Sequence, residues 1–387
     1  MKFFYIENIR LPTEKAHGYQ IMKTCEAIAR SGVDVELVVT DRKTSDVDPF
    51  VAYGISTRFP IRRLHVIDAL SGAPKFFWKA AFLIERWTFN RSVSTFVSQI
   101  PKDAVCYTRD TPIALAIKAR RPDVSVFVEF HVMPKSSLVP QLEKIDGVVS
   151  LTSSMQKRTL DVLPQQKTIV IPDAVDMDVF DPSVSREEAR RNLGIPGDAQ
   201  IVVYGGRFTT MEQAKGLGML DEAIAHLSPT NANLRLFLVG GTAEQFLQVE
   251  KRNAAPSTVC VPSVDRKTLA LYYRAADVLA MPFPNTPHYA HEMSPLKMFE
   301  YMASGTPMVT ADLPSVRDVL SETTAVFYEP DNAKDLEEKI RFIFFQDIDT
   351  RRQMGEKAQR EVQLKYTWSE RAHQIVEFIH QAGKKSL

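Results

Sequence analysis

Short apolar runs alternate with helical spacing along the whole chain, and the alternation begins afresh near residue 200. Lys2–Ile6 is apolar and aromatic throughout, as expected of a strand covered on both faces. Tyr19–Ser31 follows with Ile21, Cys25, Ile28 and Ala29 at helical spacing, and stops at Ser31-Gly32. Val33–Thr40 alternates Val33, Val35, Leu37 and Val39. Further strands are expected at Ala104–Tyr107, Ser125–Phe130, Gly147–Leu151 and Thr168–Ile171. The second series runs through Gln200–Gly206, a helix at Leu217–Leu227, and strands at Leu234–Val239, Thr258–Val261, Asp277–Met281, Pro307–Thr310 and Ala325–Tyr328. Strands that alternate with helices imply a parallel sheet, because parallel neighbours need a crossover connection.

The expected fold is therefore α/β, with two Rossmann-like doubly wound parallel-sheet domains. They span residues 1–172 and 173–366, and are expected to face each other across a cleft at the carboxyl ends of their strands, where such sheets bind ligands. The boundary falls in Pro172–Asp198, which opens rich in Asp and Pro. The composition fits: 44% hydrophobic and 25% charged residues over 387 positions is ordinary globular usage and excludes a disordered chain. The net charge of +1 gives no reason to expect nucleic acid as a partner. Cys25, Cys106 and Cys260 lie far apart with no CxxC pair, which argues against a disulfide framework or structural zinc. They read as buried free thiols in a reducing cytosol. The apolar run Phe3–Ile6 ends at Glu7, too soon for a signal segment, and no stretch is long and apolar enough to span a membrane. The expected location is cytoplasmic, with the inner membrane face as an alternative.

The densest chemistry lies in Glu292–Ala303, EMSPLKMFEYMA. Ser294 is expected to cap a helix with Pro295 in its first position. The amides of Leu296 and Lys297 would then be unpaired donors at a positive helix end, suited to phosphate. Glu300 lies six residues past Ser294, about 9 Å along a helix axis. One acid would face a sugar while the other reaches a ribose. Read alone, the segment also fits a capped amphipathic helix with surface acids. The sequence SGTPMVTADLPSV that follows extends it into one α/β edge, with the helix ended by Gly305.

Glu292 and Glu300 are spaced E-x7-E and are followed by Tyr301–Pro307 (YMASGTP) and Asp312-Leu313-Pro314. This run resembles the signature of the retaining group 1 glycosyltransferases of GT-B fold. Tyr204-Gly205-Gly206-Arg207 and Lys215-Gly216 resemble that family's strand-Gly-Arg and Lys-Gly element. The resemblance implies that Arg207 and Lys215 hold the donor diphosphate, two cations against the charge of a departing anion. Seven residues separate them, more than is common in the family, so Thr209–Ala214 is expected to reshape the loop. Asp277-Val278, Leu238–Gly241 and Cys260-Val261-Pro262 resemble further strand ends of the donor domain. Pro12–Gly18 resembles the loop after the first strand, with Gly18 opening a helix and letting the diphosphate come close. Glu129-Phe130-His131 places His131 like the family's histidine beside the reacting sugar, with His288 and His291 as alternatives. Asp173-Ala174 stands in the resembling "PNGVD" linker. Asp176-Met177-Asp178 is read there as hinge and not as metal ligands.

The resemblance implies a metal-independent transferase without cofactor. It would move a hexose-type sugar from a nucleotide-diphosphate sugar, UDP favoured over GDP, to a glycan, a glycolipid or a small molecule. Glu292 would contact the sugar, Glu300 the ribose, and the amides after Ser294 the diphosphate. Front-face attack, with the leaving phosphate taking the acceptor's proton, requires no protein base. The last helix, after Thr367-Trp368-Ser369 and with Ser369 as its cap, is expected to return to the first domain over residues 367–387. No HExxH, P-loop, G-x-S-x-G or post-strand G-x-G-x-x-G is present. A sugar-nucleotide 2-epimerase of the same fold is one alternative. The others are a two-domain solute-binding protein and a catalytically silent sugar-nucleotide-binding subunit. Arg58–Arg91 interleaves Arg62, Arg63, Lys75, Lys79, Arg86 and Arg91 with Phe76, Phe77, Trp78, Phe82, Trp87 and Phe89. It reads either as a surface for anionic membrane or a lipid-linked acceptor, or as a domain helix with buried aromatics.

Overall fold

In the computed structural model the described residues are 1–42, 46–69, 71, 74–180, 184–210, 213–251 and 256–383. Four sequence expectations extend beyond them: part of the basic aromatic segment (70, 72 and 73), part of the boundary segment (181–183), the middle of the loop before Lys215 (211–212), and the last four residues of the chain. The chain divides into two compact units, one built from Met1–Pro172 with the segment from Trp368 onward, the other from Asp173–Thr367.

The first unit is a seven-stranded sheet with parallel pairing throughout. Its strands are β1 (Lys2–Ile6), β2 (Asp34–Thr40), β3 (Ile61–Leu64), β4 (Val105–Thr108), β5 (Ser125–Phe130), β6 (Gly147–Ser150) and β7 (Thr168–Val170). The order is β3-β2-β1-β4-β5-β6-β7. The chain winds outward from β1 in one direction, then returns and winds outward in the other. The reversal lies between β1 and β4, the place where such sheets leave a crevice at their carboxyl ends. Tyr5 pairs with Leu37 on one side and Tyr107 on the other. Cys25 and Cys106 are buried here, and burial pushes the Cys106 thiol up to about 12.

β3 is absent from the sequence expectations. Its sequence, IRRL, has two adjacent arginines at its centre. It lies at the sheet edge, where Arg62 pairs with Glu36 and Arg63 donates to the Leu11 carbonyl at 3.2 Å. An edge strand satisfies charged side chains at its rim in a way that a central strand does not.

The final helix, Trp368–Gly383, packs on the helix Ala16–Arg30 and on β6. Phe378 meets Phe127 edge-on at 5.8 Å. A β-carbon on Gly147 would press into both rings at 2.8 Å, so the contact depends on that glycine. Ser369 lies inside the first turn and is not the cap expected of it, because the helix already begins at Trp368.

The second unit is a six-stranded parallel sheet. Its strands are β8 (Gln200–Gly205), β11 (Leu234–Gly241), β12 (Thr258–Pro262), β13 (Val278–Met281), β14 (Met308–Ala311) and β15 (Val326–Tyr328), in the order β12-β11-β8-β13-β14-β15. A short antiparallel hairpin, β9 (Thr209–Thr210) with β10 (Gln213–Ala214), rises from the loop after β8. The strand order reverses at β8, flanked by β11 and β13. Asp277, just before β13, is buried. It accepts from the Ile201 amide at 2.8 Å and pairs with Arg190 (2.9 Å), Arg186 (2.6 Å) and Arg351 (3.3 Å). It ties the helix Arg186–Leu193 to the sheet. Cys260, on the outer strand β12, is half-buried and not enclosed as expected.

Candidate active site

Arg207, Lys215, Glu292, Ser294, Leu296 and Glu300 lie in the second unit, and Gly18 and His131 in the first. In the second unit β8 runs into Gly206, whose φ of 109° suits glycine. Gly240, at φ 104° near the end of the neighbouring β11, packs on it so closely that a β-carbon would lie 3.3 Å from the Gly206 backbone. Two strand ends therefore turn together with no side chain between them. The Tyr204 hydroxyl donates to the Arg207 carbonyl at 2.8 Å and fixes this turn, while the Arg207 side chain is exposed.

Lys215 follows the hairpin and is half-buried. Burial, and then the positive charge of Arg207, push its amine down to about 8. The structure thus brings the two cations close enough to repel. Gly216 (φ 74°) is the cap residue of the helix Leu217–Leu227 and lies against the Pro282 carbonyl, where any β-carbon would collide.

The helix expected in EMSPLKMFEYMA is Leu296–Ser304, ended by Gly305 in the left-handed region. Its cap differs from the expectation. Pro295 occupies the cap position with extended backbone and makes no side-chain cap bond. Ser294 lies one residue too early to reach the helix amides, and its Oγ instead accepts from the Asp173 amide at 2.9 Å. Leu296 and Lys297 open the helix, so their amides have no preceding turn to donate to.

Glu292 ends the short helix Pro287–His291, with its carboxylate 3.9 Å from His288 Nδ1. Glu300 is buried on Leu296–Ser304. It accepts from Arg266 at 2.6 Å and from the Tyr273 hydroxyl at 3.4 Å. Arg266 is a partner that the sequence reading missed. Its signal is faint: an arginine following Asp265, which caps the helix Arg266–Ala275.

In the first unit, the carboxyl ends of β1, β4 and β5 collect Glu7, Arg109 and His131. Glu129, at the end of β5, is fully buried. It is paired with Arg109 at 3.2 Å and Arg371 at 2.8 Å, and it accepts from the Tyr107 hydroxyl. Burial alone would raise its carboxyl, but Arg371 and Arg109 hold it well below the ordinary carboxylate range. His131 Nε2 faces the same carboxylate. Burial, then Arg109, push this imidazole down to about 4, so it is neutral at pH 7. With Nε2–H donated to Glu129, Nδ1 is left as an acceptor. Glu7 accepts from the Arg109 amide at 2.9 Å, and burial pushes it up to about 7.

Gly18 differs from the expectation. The helix begins two residues earlier, at Ala16, and Gly18 lies in its first turn. What approaches the space of its missing β-carbon is the Tyr53 hydroxyl and the Thr13 methyl. Tyr53 is held there by its bond to the Thr13 carbonyl at 2.8 Å. The close packing required of Gly18 is thus met by the chain's own side chains.

Residues 185–361 match the family model described as "Glycosyl transferases group 1". The D-inositol 3-phosphate glycosyltransferase of Xylanimonas cellulosilytica is 33% identical over 163 residues. That match covers 39% of this chain and 36% of the relative, so the shared stretch spans about a third of that protein. Among solved structures, the sucrose-phosphate synthase of Thermosynechococcus elongatus has a TM-score of 0.76 at 21% identity, covering 98% of this chain and 99% of that one. Anabaena Alr3699/HepE in complex with UDP has a TM-score of 0.71 at 14% identity, covering 98% and 100%. The chain therefore has the two-domain GT-B fold, and over residues 185–361 it is similar to the glycosyl transferases group 1 family.

Proposed function

We propose that this chain is a retaining glycosyltransferase, moving a hexose-type sugar from a nucleotide-diphosphate sugar to a glycan, glycolipid or small-molecule hydroxyl without a metal. One observation carries the reading. Where the second sheet reverses its strand order, a glycine-lined turn brings the cations Arg207 and Lys215 together, and the Lys297 side chain, from the helix that opens with the amides of Leu296 and Lys297, lies against that turn. Such a collection is built for a doubly charged phosphate group. It lowers the cost of the charge that develops as the diphosphate leaves. UDP is the favoured nucleotide, and a protein of the same fold binds UDP.

Glu300, oriented by Arg266, has oxygens to accept ribose hydroxyls. Glu292 offers its carboxylate to sugar hydroxyls. In the first unit, neutral His131 offers Nδ1 to a sugar hydroxyl while Glu129 fixes its tautomer. The bond from the anomeric carbon to phosphate breaks and the bond to the acceptor oxygen forms on the same face. The acceptor's proton passes to a phosphate oxygen, so no protein base is consumed. The test is NMR of the product from a UDP-α-sugar: an α-linked product is expected, and a β-linked product would overturn retention.

The acceptor we infer is carried at an anionic membrane surface. Phe76 (90% exposed), Phe77, Trp78, Phe82, Leu83, Ile84 and Trp87 stand out at the start of the helix Trp78–Val97, beside Lys79 and Arg91. Phe89, Val93 and Val97 anchor the rest of the helix in the core. An open groove of about 630 Å³ beside it is lined by Arg62, Arg63, His65, Trp87, Arg91 and Phe96, among others. Exposed aromatics with basic neighbours suit the headgroup region. Among the described residues no helix is long and apolar enough to cross a membrane.

A further inference from the structure

The start of the helix Leu296–Ser304 holds a cation that the proposed donor site leaves unused. Lys297 is only 8% exposed, and its Nζ has no hydrogen-bond partner among the described residues. It lies 3.5 Å from the centre of the Tyr204 ring and 5.7 Å from that of Phe283. It also lies against the turn after β8: a β-carbon on Gly206 would come within 3.3 Å of it. The amine is thus stored beneath the very turn that presents Arg207, in a space that Gly206 leaves open.

Such a placement is costly. A buried amine with unmet donors destabilises a fold, and two ring faces offset only part of that. A methionine of similar length would fill the cage at no such cost. Burial holds this amine well below the ordinary lysine range. The ammonium of Lys215 lowers it further, and Glu300 on the same helix offsets part of the effect. Glu300 is itself engaged by Arg266. The unliganded unit therefore keeps an amine whose charged form is disfavoured, at a place where an anion would favour that form.

We propose that Lys297 is a third cation of the diphosphate subsite, meeting a phosphate oxygen of the nucleotide beside Arg207 and Lys215. The inference rests on the donor-site reading under Proposed function. Rotation about the four-carbon stem brings Nζ out past Gly206 to the anion. The amine takes one proton from the buffer as the anion arrives, since the phosphate supplies the partner that favours its charged form. Binding of the nucleotide is thereby coupled to proton uptake at this residue.

The test is titration calorimetry of UDP and of GDP at pH 7, in buffers of different ionisation enthalpy, on the wild type and Lys297→Met. The nucleotide's own phosphate titration is common to both proteins and cancels in the difference. The wild type should take up about half to one proton more per nucleotide than the variant. The variant should bind about tenfold to a hundredfold more weakly. Without ligand it should melt about 2–4 °C higher, because a bare buried amine is gone. Lys297→Gln, which keeps a polar group but takes no proton, should lose the uptake in the same way, and it carries the test should the methionine variant misfold. Unchanged uptake in these variants, with or without a change in affinity, would overturn the proposal and leave Lys297 a packing residue. Absence of binding by the wild type to either nucleotide is a different result: it would bring down the donor-site reading, and this inference with it.

Discussion

Lys215 is under two pressures, burial and the charge of Arg207, and the negative charge of an anion held by both residues offsets them. Its amine titrates at about 8 in the unliganded unit, below a free lysine. A depressed amine loses its proton early, so above pH 8 the nucleotide must first restore it. The dissociation constant for UDP should therefore rise more steeply with pH beyond about 8, Lys215 adding up to about tenfold per unit. Calorimetry across pH 7–9.5 checks this. Arg207 should retain residual binding. Arg207→Ala should cut transfer about 10²–10³-fold, as loss of a charge-stabilising donor does. Glu292→Ala should abolish transfer. Both should leave the melting temperature near wild type, and wild-type turnover in either would contradict these roles.

Two carboxylates of the first unit respond to pH in opposite senses. Glu129 lies well below its ordinary value, so its stabilisation is present above the unfolded value of about 4.5 and is lost as pH falls below it. Glu7 is raised to about 7, so its contribution is complete below about 4.5 and is lost as pH rises through 7. Glu7→Gln should flatten the fall in urea-unfolding stability between pH 4.5 and 7. Glu129→Gln should cost about 3–5 kcal/mol, because it leaves the Arg109 and Arg371 guanidinium groups buried without their anion.

At the scale of elements, legibility followed burial. β5 and the helix Leu217–Leu227 match the sequence expectation residue for residue, because covered strands must be apolar and a helix with one buried face must show its period. β3 was not legible, since an edge strand carries its two arginines at the rim and shows no apolar alternation. The cap at Ser294 was misread by one position, because the sequence cannot tell which residue turns extended before a helix. The helix Trp78–Val97 could be read as core or as surface, and its aromatics divide between the two. Trp78→Ser with Trp87→Ser should weaken sedimentation with anionic vesicles at least several-fold and leave the melting temperature unchanged, since both rings are exposed. Equal sedimentation of wild type and variant would remove the membrane role.

Over the whole molecule one device appears twice. Each sheet reverses its strand order beside its first strand, between β1 and β4 in one and at β8 in the other. The sequence made the second unit's share visible, because E-x7-E and the glycine–arginine turn are local patterns. The charge networks were invisible there. Glu129 draws in Arg109 and Arg371 from 20 and 242 residues away, and Glu300 draws in Arg266 from 34 away. Nothing local marks Lys297 as an inward-turned amine rather than a solvated one. The most direct test of the donor site is a thermal-shift series with UDP, GDP, ADP and their sugar conjugates on the wild type and Arg207→Ala. A ligand that binds only the folded state raises the melting temperature by mass action. The expected result is a rise with UDP and its conjugates that Arg207→Ala loses. No rise with any of these nucleotides at millimolar concentration would contradict it.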